Sequence, residues 1–151
     1  MMEFTPMDPA YESKVRESFA RQAVMGELGA VLGRIEPGEV EIELPYRAEL
    51  TQQHGFIHAG IVATVLDSAC GYGAFTLMPA SASVLSIEFK INLLAPATGD
   101  SLLAVGTVIR AGRTITACRG EAFARSEGRQ RPVAAMQATM MTVLGRADVK
   151  G

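Results

Sequence analysis

Gln52-Gln-His-Gly-Phe-Ile-His-Ala-Gly-Ile-Val-Ala-Thr-Val-Leu-Asp-Ser-Ala-Cys-Gly-Tyr-Gly-Ala-Phe-Thr-Leu-Met78 is the stretch that decides the fold, because it sets one acid, Asp67, in the most apolar segment of the chain. From Gly60 to Met78 the residues are apolar or small on every side, the pattern of a helix buried within a fold. Nineteen residues at 1.5 Å each give about 29 Å, enough to cross a small domain. A central Asp, three glycines, Ser68 and the threonines argue against a membrane span, and no second apolar run of that length exists.

On a 100° wheel with Asp67 at zero, Gly60, Ala63, Thr64, Cys70, Gly71 and Ala74 fall within about 60° of it, while Ile61, Val65, Leu66, Tyr72, Phe75 and Leu77 point elsewhere. The acid therefore sits midway along a stripe of small side chains, where a second backbone or a thin ligand can come close. Burial disfavours an unpaired carboxylate, so something must compensate it. Two readings stand at this point: a structural acid satisfied by backbone donors, or a working acid.

The remainder of the 151 residues, 48% hydrophobic, suits one domain around a sizeable core. We read residues 1–25 as an N-terminal surface helix, 26–146 as the domain and 147–151 as a tail. The first 24 residues lack the apolar core of a signal peptide, so a cytoplasmic protein is expected. Cys70 and Cys118 match neither a disulfide framework nor zinc spacing and read as free buried thiols. The net charge of −2 gives no pull toward nucleic acid. Its distribution is uneven, however: Arg110 to Arg131 holds six arginines against Glu121 and Glu127.

Asp8 as N-cap and Pro9 at the first position predict a helix over Pro9–Met25. Gly29–Ile35 and Glu39–Leu44 around Glu36-Pro37-Gly38 read as a hairpin with one wet face. Past Pro79 the period changes from 3.6 to 2: Leu85, Ile87, Phe89, Ile91 and Leu93 alternate with Ser86, Glu88, Lys90 and Asn92 until Pro96 ends the strand. Three more strands are expected near Ser101–Arg110, Thr114–Arg125 and Pro132–Leu144, separated by turn-forming breaks. Ala104 and Gly106, and Cys118, Gly120, Ala122 and Ala124, give two of them a face small enough for a helix to lie close. An α+β domain follows, an antiparallel sheet wrapped around one long central helix.

Order and motif together resemble the hotdog fold, specifically the PaaI-like acyl-CoA thioesterases of the phenylacetate-degradation group. The resemblance covers roughly Gly26 to Leu144 and rests on His58-Ala59-Gly60, on Asp67 seven residues after Gly60, and on the alternating strand ending at Pro96. It implies hydrolysis of an acyl-CoA thioester, with Asp67 as nucleophile or general base, the Ala59 amide polarising the thioester carbonyl and His58 ordering that turn. It also implies roles for Gln52, standing where the family tends to have Asn, and for Ser86 on the following strand. Ala59 itself replaces the usual Gly, which is harmless in a helical residue and strained at positive φ. Gly60 and Thr64 are then expected beside the substrate.

The chemistry needs donors aimed at a developing oxyanion and a base or nucleophile near the carbonyl carbon. A helix N-terminus supplies the first and Asp67 the second. Eight helical residues put Ala59 and Asp67 about 12 Å apart, too far to serve one carbonyl within a chain. A homodimer is therefore expected, paired into a tetramer as the family suggests. Arg110 and Arg113, flanking the Ala111-Gly112 turn, are candidates for the phosphates of coenzyme A. His54 and His58, four apart across Gly55, make a poor metal pair, and no metal or other cofactor is expected. No Gly-x-Ser-x-Gly turn supports a triad built on Ser68 or Ser86, and Cys70 lacks a base. Two rivals remain: a non-catalytic acyl-CoA-binding or scaffold protein in which Asp67 only packs, and a hotdog hydratase or dehydratase, whose helix motif differs.

Overall fold

The computed structural model describes residues 3–151. Two short helices, α1 (Tyr11–Arg21) and α2 (Ala23–Leu28), precede the hairpin β1 (Val31–Glu36) and β2 (Glu39–Pro45). A loop leads to α3 (Ala59–Phe75), and β3 (Ser83–Leu93), β4 (Ser101–Ala111), β5 (Ile115–Ser126) and β6 (Arg129–Val143) follow. The six strands form one antiparallel sheet in the order β1-β2-β4-β5-β6-β3. It wraps around α3, the hotdog arrangement expected from the sequence.

Small residues bring helix and sheet together. A Cβ on Gly106 would stand 2.2 Å from the Ala69 carbonyl carbon, and one on Gly120 would stand 3.0 Å from Cys70 Sγ. Ala104, Cys118, Ala122 and Ala138 complete this close-packed face, each fully or almost fully buried. Helix α3 is buried on most of its circumference, from Val62 through Phe75. It starts at Ala59 and stops at Phe75, three residues short of the expected Met78. Thr76 ends it: its hydroxyl donates to Gly73 O at 2.7 Å and accepts from the Gly38 N–H at 2.8 Å.

The N-terminal segment departs from a single surface helix over Pro9–Met25. The chain breaks at Gln22, whose ψ of 98° is extended, and resumes to Leu28, where Gly29 caps it in the left-handed region at φ 73°. The expected cap at Asp8 is not formed: α1 starts at Tyr11 with Ala10 as N-cap and no side-chain cap bond, and Asp8 accepts from the Ala10 N–H at 2.9 Å in the turn before the helix. Both helices dock rather than float: Val15 and Met25 are fully buried, and the Phe19 and Tyr72 rings lie 6.0 Å apart. Lys14 bonds the Met78 and Pro79 carbonyls beyond the end of α3 and sits over the Phe75 ring.

Strand β3 carries the instructive departure. Its alternation is not strict, because the register against β6 shifts between Ser86 and Glu88 and leaves Ile87 as an extra residue, a β-bulge. Directly opposed residues of an antiparallel pair share a face. Ser86 opposes Met140, Phe89 opposes Ala138 and Ile91 opposes Met136, all on the buried side of β6 that meets α3. Leu85 opposes Met141 and falls on the outer face with Glu88 and Lys90. A bulge-free strand would have put Ser86 outside, because a one-residue slip exchanges the faces.

Candidate active site

The N-terminus of α3 is built by the loop before it. Thr51 and Ile57 form an isolated bridge, Gln52 N donates to Phe56 O at 2.9 Å, and Gly55 N donates to Gln52 O at 3.0 Å with Gly55 at φ 81°. The Gln52 side-chain oxygen accepts from the His54 and Phe56 amides. That fixes which way the carboxamide faces: its oxygen is spent on the loop and its NH2 is left as a donor. Ile57 N donates to Ala97 O and His58 N to Leu50 O, which tie the loop to the segment after β3 and to its own start.

His58 is the N-cap, and its Nδ1 accepts from the Gly60 N–H at 2.9 Å. A Cβ on Gly60 would stand 3.2 Å from that nitrogen, so a larger residue there would make the His58 ring shift by a few tenths of an ångström. Among the described residues nothing accepts from the Ala59 N–H. Ala59 is the first helical residue and carries no positive φ, so alanine is unstrained where a glycine is usual. His58, Ala59 and Gly60 are all exposed. His58 and Ala59 line a groove of about 480 Å³ whose walls are largely apolar, with Phe56, Val62, Leu93, Leu94 and Val133 beside Gln52. One free N–H, the positive end of a helix dipole and a neighbouring carboxamide donor suit a carbonyl oxygen gaining negative charge.

Asp67 lies two turns further along, half-buried. Its Oδ1 accepts from Ser86 Oγ at 2.6 Å, the pairing that the Ile87 bulge permits. The compensating donor is thus a side-chain hydroxyl rather than the backbone donors of the structural reading, and Oδ2 is left for other work. Thr64 does not present a free proton, since its hydroxyl donates to Gly60 O at 2.8 Å. Around Asp67 the small-residue stripe is open toward Gly60, Ala63 and Thr64 and closed under the sheet at Cys70, Gly71 and Ala74. Neither Asp67 nor Ser86 lines the groove at Ala59. Within one chain, then, Ala59 and Asp67 do not share a pocket.

Arg110 and Arg113 are also kept apart from that groove. Cross-strand pairing aligns Ala111, Thr116, Met140 and Ser86, which puts the β4–β5 turn level with Ser86 but three strands away, while the groove lies by Leu93 at the far end of β3. Other arginines of the cluster have partners: Arg119 pairs with Glu121 and Arg125 with Glu43. Arg131 donates to Pro96 O and Thr98 Oγ1 and so braces the loop that walls the groove, a role without a signature in sequence. Both cysteines are buried; burial raises the Cys70 thiol far above its ordinary value and pushes Cys118 up to about 12. Neither is a nucleophile at neutral pH. Among the described residues no group of three His, Cys, Asp or Glu converges on a metal-sized site, and no helix is long and apolar enough to cross a membrane.

The profile of the thioesterase superfamily matches residues 54–130, just over half of the chain and spanning the end of the loop, α3, β3, β4 and β5. A thioesterase family protein from Silicibacter pomeroyi is 52% identical, with a TM-score of 0.88 over 89% of this chain and 99% of that one. The Escherichia coli PaaI protein, from the phenylacetic acid degradation operon, shares the fold at a TM-score of 0.81 over 92% of this chain and 97% of its own, with 18% identity. A candidate esterase from Halobacterium salinarum is 34% identical over 93 residues, 58% of this chain and 61% of that protein, so the chain spans about three fifths of that relative's length. With the wrapped helix, the His58-capped start and Asp67 in place, the chain belongs to the thioesterase superfamily and has a hotdog fold of the PaaI-like kind.

Proposed function

We propose that this protein hydrolyses an acyl-CoA thioester to the free acid and CoA, at a site shared by two copies of the chain. The observation that carries the proposal is the Ala59 N–H, left without an acceptor among the described residues at a helix N-terminus that opens on an apolar groove. The thioester oxygen takes its place at this N–H, with the Gln52 NH2 as a second donor. Asp67 of the other copy either takes a proton from the attacking water or attacks the carbonyl carbon itself; Ser86 holds the carboxylate by one oxygen. In the first route Asp67 passes the water's proton to the sulfur as the C–S bond breaks and the acid forms. In the second the C–S bond breaks as an acyl–Asp67 anhydride forms, the thiolate takes a proton from solvent, and water then hydrolyses the anhydride to the acid and a free Asp67 carboxylate.

The edge strand β3 supports the second copy. Leu85, Ile87, Phe89, Leu93 and Leu94 are 39 to 58% exposed on one unpaired edge, a concentration that an isolated soluble chain would have to shield. We assign this edge to a homodimer and infer that two dimers pair into a tetramer. Arg110 and Arg113 take the phosphates of CoA in this reading, and the two free thiols fit a reducing compartment, the cytoplasm.

The test is a panel of acyl-CoAs with a dye that reports free thiol, clean here because both protein thiols are buried. Release of CoA is expected. Binding without release would make the protein a carrier or scaffold, and addition of water to an enoyl-CoA would make it a hydratase; either outcome overturns the proposal.

A further inference from the structure

Helix α3 has an unusual problem of orientation. It is apolar nearly all round, so hydrophobicity alone does not single out one roll angle; the close contacts of Ala69, Cys70 and Gly73 with Gly106 and Gly120 set that angle coarsely and leave the last few degrees to other contacts. The chemistry proposed for Asp67 is sensitive to such a roll. A side-chain tip about 5 Å from the helix axis moves roughly 1.3 Å in a 15° turn, and displacements near 1 Å at a reacting centre reach rate losses on the order of 10².

Polar contacts from off the helix refine that angle. Asp67 meets Ser86 on one side. On another side, Ser68 Oγ donates to Gln22 Oε1 at 2.8 Å, Gln22 Nε2 donates to Tyr72 Oη at 3.3 Å, and Tyr72 Oη meets Ser18 Oγ at 3.2 Å. Ser68 and Tyr72 lie about 100° and 140° around the helix from Asp67. Gln22 is the residue at which α1 breaks and α2 begins, so its carboxamide is delivered to α3 by a backbone held at both ends. Burial raises the Tyr72 hydroxyl above its ordinary value, keeping it a neutral partner in this chain of bonds. Two further contacts reach α3 among the described side chains: Cys118 Sγ donates to Cys70 O at 3.6 Å, and Thr76 Oγ1 accepts from the Gly38 N–H nine residues from Asp67 at the last turn.

We infer that Gln22 is a positioning residue for the thioesterase reaction: through Ser68 and Tyr72 it locks the roll of α3 that aims Asp67 at Ser86. This rests on Asp67 being the working acid. The bond lost by a roll that carries Asp67 away from Ser86 is the Ser68–Gln22 bond, so the two contacts stand or fall together.

The test uses Gln22→Met, which keeps length and volume and removes both hydrogen bonds, and Gln22→Glu, whose carboxylate accepts from both the Ser68 and Tyr72 hydroxyls. With folding checked by circular dichroism, Gln22→Met should lower kcat about tenfold with KM changed less than about twofold, and Gln22→Glu should restore most of it. In a Ser86→Ala background the further effect of Gln22→Met should shrink to less than about twofold, since coupled residues are non-additive. A parental kcat in Gln22→Met, or the same tenfold loss with Ser86 already removed, overturns the inference. Asp67→Asn is measured alongside: if it keeps the parental rate the catalytic reading itself has failed, whereas an inactive Asp67→Asn with an unaffected Gln22→Met sinks the positioning role alone.

Discussion

Replacing Asp67 by Asn separates a working acid from a packed one, and the structure sets the size of each effect. The carboxylate accepts one side-chain hydrogen bond, from Ser86 at 2.6 Å, and is only half-buried. Asn keeps an oxygen able to accept that bond and nearly the same volume, so the cost to folding should stay at about 1 kcal/mol. For 151 residues that is a drop in Tm of about 2–4 °C. Removing the base or nucleophile should lower kcat by roughly 10²–10⁴, or about 2.7–5.4 kcal/mol of barrier at 1.36 per decade. Affinity for the CoA ester should persist, since Ala59, Gln52 and the groove are untouched. The assay is thermal midpoint, ester affinity and single-turnover rate on one preparation. A stable Asn variant that hydrolyses at the parental rate refutes the assignment, as does a loss of rate that merely follows a loss of folded protein.

Three further outcomes follow from particular contacts. Gly106→Ala must push the Ala69 carbonyl away from 2.2 Å, and because the obstacle is backbone, overpacking should cost about 3 kcal/mol or prevent folding, read by chemical denaturation. Arg110→Ala with Arg113→Ala should raise KM for the CoA ester and leave a short thioester lacking the nucleotide unchanged; equal effects on both substrates would count against phosphate contact. Cys118 holds its proton up to about 12 in the fold against an ordinary value of 9.0. The unfolded chain therefore loses that proton first as pH rises, and Cys70, shifted in the same direction, adds to it. Stability should be complete below about pH 9 and decline between about 9 and 12, and a double Cys→Ala variant should lose that part of the decline.

What sequence made legible was whatever follows from period and residue size. The shift from a 3.6 to a 2.0 repeat after Pro79 locates the border between helix and sheet, and the small faces at Gly106 and Gly120 announce how closely the two pack. Asp67 stood out because an acid in such surroundings needs an explanation. What stayed hidden depends on register and on contacts across the fold. The alternation of β3 reads as one clean strand, yet Ile87 is an extra residue, and only pairing with β6 reveals that Ser86 shares a face with Phe89. No local signal breaks the first helix at Gln22, which is not a residue that stops helices; its place is set by Tyr72 and Ser68, about 50 residues away. The groove likewise joins Phe56, Leu93 and Val133 from three separate segments.

The separation of Ala59 and Asp67 has a consequence that kinetics can test without any structure of the assembly. Ala59→Pro is the change that isolates the N–H: proline is favoured at the first helical position, and His58 before it already has φ −59° and ψ 139°, the conformation a residue preceding proline prefers. The variant should fold, keep the His58–Gly60 cap and lose the donor, with a fall in kcat on the order of 10²–10³. Asp67→Asn lacks the acid and retains the donor. If each site takes Ala59 from one copy and Asp67 from the other, a dimer of one variant with the other has one site carrying both defects and one carrying neither. Random pairing of equal amounts makes half the dimers mixed, each with one intact site of two, so co-expression of two nearly inactive chains should recover about a quarter of the parental activity. A site confined to one chain recovers nothing, because every chain then carries a defect of its own. Activity no greater than the mean of the two variants, in a sample shown by differential tags to contain mixed dimers, would end the two-chain site whatever the oligomeric state proves to be.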